Sequence, residues 1–87
     1  MTREEALNTA VKIVGGQTAL ANALSVKTGR GIRQQHIWNW LNRDGGLPAA
    51  YAPLVQSLCE EYGGSISCHD LCPEFYPMGA SEPVSAN

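Results

Sequence analysis

Four side chains in the middle of this chain have the chemistry to read a nucleic acid. Gln34, Gln35, Trp38 and Asn39 lie in RQQHIWNWLNR, where Ile37, Trp40 and Leu41 make an apolar stripe at i, i+3, i+4 and leave the other positions facing outward. Gln and Asn amides can donate to and accept from the exposed edge of adenine at once, which suits a helix lying in a major groove. Just upstream, Lys27, Arg30 and Arg33 recur every third residue, a basic run suited to phosphate. Trp38 stands off the buried stripe. It can rest on a thymine methyl or a sugar, pack at a subunit interface, or cover the hydrophobic rim.

A second constellation, Cys68-His69-Asp70-Leu71-Cys72, invites a metal. It offers three soft ligands where structural zinc takes four, so free and mostly buried thiols, with no metal site, are the better reading. Cys59, Cys68 and Cys72 are an odd number, which argues against a disulfide framework. His36 and His69 have no orienting third group, and nothing here demands an enzyme, a catalytic residue or a cofactor.

The elements that would position these residues are helices. Thr2-Arg3-Glu4-Glu5 has the form of a capping box, and Leu7, Ala10, Val11 and Val14 follow at helical spacing up to Gly15-Gly16, predicting a helix over residues 3–14. A second helix is expected over residues 17–24, with Leu20, Ala21 and Leu24 inward. Gln17 and Thr18 at its start either hold a phosphate or simply cap the helix. Gly29 and Gly31 argue that the basic segment is a long turn, over residues 25–32, with Val26 buried as its anchor. That turn either follows a DNA backbone or is a solvated insertion.

A third helix is expected over residues 33–42, stopped by Asp44-Gly45-Gly46. A fourth should begin nearer Ala52 than Pro48, because Pro53 fits only a first turn, and should bury Leu54, Val55, Leu58, Cys59 and Tyr62. Ser67 to Asp70 opens one further helical turn, and Phe75 and Tyr76 are expected to return to the core. Residues 1–77 therefore read as one domain, an all-α, compact bundle of four to five short helices containing a helix-turn-helix. Residues 78–87 read as a disordered tail by composition.

Net charge is −2 but unevenly spread. Residues 1–47 carry all six Lys and Arg against three acids, giving +3, and residues 48–87 carry five acids alone, giving −5. No stretch approaches the ~18 apolar residues of a membrane span. MTREEALNTA lacks the apolar core of a secretory signal, so a cytoplasmic location is expected.

GGQTALANAL with Ser25 and Val26, then Ile37-Trp38-Asn39-Trp40, Leu47-Pro48 and EEYGGSISCHDLCPEFYP resemble the Cro-like YdaS antitoxin family of prophage-encoded regulators, over about residues 3–77. The resemblance implies a lambda-repressor-like fold. Gln17 would begin the first motif helix and hold a phosphate, and Ala21 would be the small residue at the helix crossing. Ile37 and Trp40 would be buried, with Arg33, Gln34, Gln35, Trp38 and Asn39 facing the groove. Ser25 stands where the family turns on glycine, and about six extra residues within Lys27–Arg33 lengthen the turn. The implied activity is repression of a phage-type or toxin-antitoxin operon, often the chain's own, by dimers on near-palindromic double-stranded DNA. An alternative is a protein-binding antitoxin that engages a partner toxin through the acidic half, including Glu60, Glu61 and Glu74.

Overall fold

Residues 2–76 are described by the structure, a computed structural model; the expected tail over residues 78–87 lies outside them. The element order is α1 (Arg3–Val14), α2 (Gln17–Thr28), α3 (Gln34–Asn42), a 3-10 turn (Ala49–Tyr51), α4 (Ala52–Glu61) and the one-turn α5 (Cys68–Leu71). No strand occurs among the described residues, so the all-α expectation stands.

α1 starts where the capping box predicts. The Thr2 hydroxyl accepts from the Glu5 amide at 3.1 Å and the Glu5 carboxylate accepts from the Thr2 amide at 2.9 Å. It ends on Gly15, whose φ of 103° only glycine adopts freely and whose amide closes back on the carbonyls of Val11 and Lys12. Ala6, Leu7, Ala10, Val11 and Val14 bury one face of α1 against all the other helices.

The core is a single cluster. Leu20, Ala21 and Leu24 of α2, Ile37 and Trp40 of α3, Leu47, Ala52, Val55, Leu58 and Cys59 around α4, and Leu71 and Cys72 at the end all pack onto that face. Trp40 stacks obliquely on Tyr51, with ring centroids 5.5 Å apart, tying α3 to the start of α4. Pro53 sits in the first turn of α4, as its missing amide requires.

Five expectations need correction. α2 does not stop at Leu24 but runs a further turn to Thr28. Its polar end is stabilised within the helix. Ser25 Oγ lies 2.9 Å from the Ala21 carbonyl and Thr28 Oγ1 donates to the Leu24 carbonyl at 2.7 Å, each hydroxyl bonding back one turn. The break comes at Gly29, with φ of 72°. Only residues 29–33 therefore separate the two helices, not a long basic turn from Ser25 to Ile32, and Lys27 belongs to α2.

Extending the helix also turns Val26 outward, so that it is 84% exposed, and the anchor of the turn is Ile32. Ser25 fastens that anchor: its hydroxyl accepts from the Ile32 amide at 2.9 Å and lies 2.8 Å from the Ile32 carbonyl. At the other end of the chain, α4 stops at Glu61, which puts Tyr62 beyond the helical rotation and into solvent. Phe75 is likewise exposed, and Tyr76 alone of that pair returns to the core, its hydroxyl reaching the Ala49 carbonyl at 3.3 Å.

Candidate nucleic-acid interface

α2 and α3 form the most closely associated pair of elements, with Ala21, Leu24 and Ile37 all buried in the shared core. The crossing brings the first residue of each helix together. Gln34 Nε2 donates to Gln17 Oε1, so two side chains seventeen positions apart form one exposed amide pair. Gln17 keeps its own Nε2 hydrogens, and Gln34 keeps its carbonyl oxygen and a second hydrogen, for groups outside the protein.

On α3, Gln35, Trp38, Asn39 and Asn42 fall at i, i+3, i+4 and i+7, one outward stripe opposite buried Ile37 and Trp40. Trp38 is 42% exposed, and the Asn42 amide donates to its carbonyl at 2.9 Å. Gln35 Nε2 lies 3.3 Å from Asn39 Oδ1, a weak contact that leaves both amides available. Asn42 was not singled out by sequence reasoning. Its i+7 spacing from Gln35 is the signal that would have found it.

The remaining candidates divide. Thr18, at the second position of α2, is exposed beside Gln17. Arg30 is exposed in the turn, where its amide donates to Thr28 Oγ1 at 3.1 Å, and Arg33 is exposed as the residue capping α3. Neither arginine makes an ion pair among the described residues. Lys27 does, with Glu61 at 3.0 Å, and is to that extent committed to the protein itself. Arg3 is also committed: it donates to the Leu47 carbonyl at 3.0 Å and approaches Glu74 at 3.6 Å.

An open groove of about 360 Å³ borders the surface, lined by Glu4, Glu5, Asn8, Gln17, Leu41 and Asn42. Its two carboxylates would repel phosphate, so the groove marks an anionic edge rather than an extension of the basic face.

The Cys-His constellation behaves differently. Among the described residues no group of three or more His, Cys, Asp or Glu side chains is placed to hold a metal ion. Cys59 and Cys72 are buried and Cys68 partly so, all three as free thiols. Burial pushes each thiol above its ordinary value of 9.0, Glu60 adding to the rise at Cys59 and Arg3 opposing it at Cys72. Cys72 Sγ donates to the Leu47 carbonyl at 3.1 Å, and His69 Nδ1 lies 2.9 Å from the Tyr76 carbonyl. Asp70 closes a capping box with Ser67.

Against the models of known protein families, residues 7–78 match the family described as Bacterial toxin YdaS. The chain belongs to the YdaS family. The match runs from within α1 through α5, so the paired glutamines and the buried thiols both lie within the family's extent. No curated protein and no solved structure matches the chain. No helix among the described residues is long and apolar enough to cross a membrane.

Proposed function

We propose that this YdaS-family chain is a sequence-specific DNA-binding repressor of Cro type, acting in the cytoplasm on a prophage or toxin-antitoxin operon that includes its own promoter. The observation that carries the reading is the Gln17–Gln34 pair at the meeting of α2 and α3. A glutamine reading adenine must present its carbonyl oxygen to N6–H and an amide hydrogen to N7 in one orientation. The hydrogen bond to Gln17 restrains Gln34 about its terminal torsion while leaving one donor and the acceptor free, so less rotamer entropy is lost on binding.

In this reading α3 lies in the major groove, with Gln34, Gln35, Trp38, Asn39 and Asn42 towards the bases. Gln17, Thr18, Arg30 and Arg33 hold phosphates, with Lys27 at the margin. The contact is non-enzymatic and needs no cofactor. A homodimer on a near-palindromic site supplies the affinity that a single module of this size lacks.

The test is a mobility shift or footprint on DNA upstream of the chain's own reading frame, repeated at several salt concentrations. The expected result is a protected site that outcompetes scrambled duplex, with affinity falling steeply as salt rises. Equal affinity for both duplexes would remove the claim of specificity.

The family's description as a toxin favours a second reading, in which the chain acts through a protein partner. Glu60 and Tyr62, exposed together at the end of α4, are the residues through which the acidic half would engage it. Co-purification with the product of the neighbouring gene tests this, and a Glu60→Lys variant that still co-purifies counts against that surface.

A further inference from the structure

We infer that His36 is a DNA contact, donating a hydrogen bond from Nε2 to a phosphate oxygen of the bound duplex. The inference rests on the reading of α3 as the helix in the major groove. His36 Nδ1 accepts the Arg33 amide at 2.9 Å, and the His36 amide returns a bond to the Arg33 carbonyl at 2.9 Å. The ring thus serves the third helical position, where Glu or Gln commonly satisfies the amide of the capping residue.

The cap decides the tautomer. A neutral imidazole carries one proton on nitrogen, and the nitrogen that accepts an amide hydrogen is the bare one. Nε2 therefore carries the proton and can only donate. The side chain is exposed, and no protein acceptor takes that hydrogen among the described residues. A backbone cap made by Glu would have presented carboxylate oxygens here. Histidine makes the same cap and turns a donor outward.

The position on α3 supplies the partner. At about 100° per residue, Gln34 and His36 stand on opposite edges of the outward stripe formed by Gln35, Trp38, Asn39 and Asn42. A helix in a major groove has a sugar–phosphate strand on each side. Gln17, bonded to Gln34, stands towards one wall, and His36, with exposed Arg43 seven residues along the same edge, marks the other. A donor-only nitrogen on that edge meets phosphate oxygens, the acceptors that line the wall.

The full 87-residue chain, assembled by peptide ligation with Nε2-methylhistidine at position 36, isolates the donor. The methyl group leaves Nδ1, the cap and the charge unchanged. Binding is measured on the duplex upstream of the reading frame and on scrambled duplex. The expected result is about a tenfold loss of affinity on both duplexes, an unchanged slope against salt because no charge is removed, and an unchanged melting temperature. Equal binding by the methylated and unmodified chains overturns the inference and leaves the DNA reading intact. A loss confined to one sequence overturns the phosphate assignment in favour of a base. Failure of the unmodified chain to bind any duplex overturns both readings. A nitrogen-15 spectrum of the unmodified chain that places the proton on Nδ1 also overturns the inference.

Discussion

In and beside α5, three of the groups that looked reactive are held by neighbours: His69 lies against the Tyr76 carbonyl, Asp70 on Ser67, and Cys72 on the Leu47 carbonyl. On α3, nine residues long, the corresponding amides face out, Gln34 bonded to Gln17 of α2, Gln35 in weak contact with Asn39 and Asn42 on the Trp38 carbonyl. Both segments are rich in titratable or amide side chains. They differ in where the backbone's own demands fall. α5 is a single turn: the amide of its cap Ser67 takes up Asp70, and carbonyls of other segments, at Tyr76 and Leu47, take up His69 and Cys72. α3 satisfies its backbone internally for more than two turns and needs only His36 as a cap, so its outward amides stay free for another molecule.

Four measurements test that contrast. The largest effect is expected from Ile37→Ala, which empties a fully buried site beneath the free amides of α3. It should cost about 2–5 kcal/mol of stability in chemical denaturation. If the loss is under about 1 kcal/mol, α3 is not anchored as described. Gln34→Ala comes next. It should leave denaturation nearly unchanged while costing about 1–3 kcal/mol at the best DNA site and relaxing preference at one base pair. A uniform loss over all sequences would make Gln34 a phosphate ligand instead.

Ser67→Ala tests the opposite region. Removing the cap of α5 should cost about 1 kcal/mol of stability and leave DNA affinity alone, because that side chain is spent on the Asp70 amide. A change in DNA binding after correction for folding would mean that α5 takes part in the interface. The smallest effect concerns the buried thiols. Their pKa values are raised above 9.0 in the folded chain, so the native state holds its thiol protons more tightly than the unfolded state does. Stability contributed by the neutral thiols is complete below the unfolded-state pKa and is lost as pH rises through the alkaline range above it. Melting temperature should therefore fall above about pH 9 by more in the native chain than in Cys59→Ala normalised to its own value at pH 7. A parallel pH profile would show that burial at Cys59 contributes nothing to the titration.

Much of the architecture is written locally. Thr2 with Glu5 and Ser67 with Asp70 announce helix starts because a hydroxyl and a carboxylate three residues apart satisfy two amides reciprocally. The i, i+3, i+4 spacing of Ile37, Trp40 and Leu41 fixes which side of α3 faces out, and that choice alone exposes Gln35, Trp38 and Asn39. Pro53 fixes the start of α4, since a residue without an amide is accommodated in a first turn. Family membership was legible too, because the glycine, glutamine and cysteine motifs at the two ends are distinctive together.

The tertiary structure alone decided the rest. Local propensity placed the end of α2 at Leu24; the helix runs on to Thr28, and Ser25 accepts from the Ile32 amide because the turn folds back onto it. Val26, Tyr62 and Phe75 are as apolar as their buried neighbours, and their exposure follows from where each helix or turn stops relative to the core. Gln17 and Gln34 each stand out in the sequence as candidate contacts, but they become a pair only because the packing of α2 against α3 brings two helix starts together. Hydrophobic spacing determines which face of each helix is buried. Which polar residues then meet across two helices depends on the crossing, a long-range property that no local window contains.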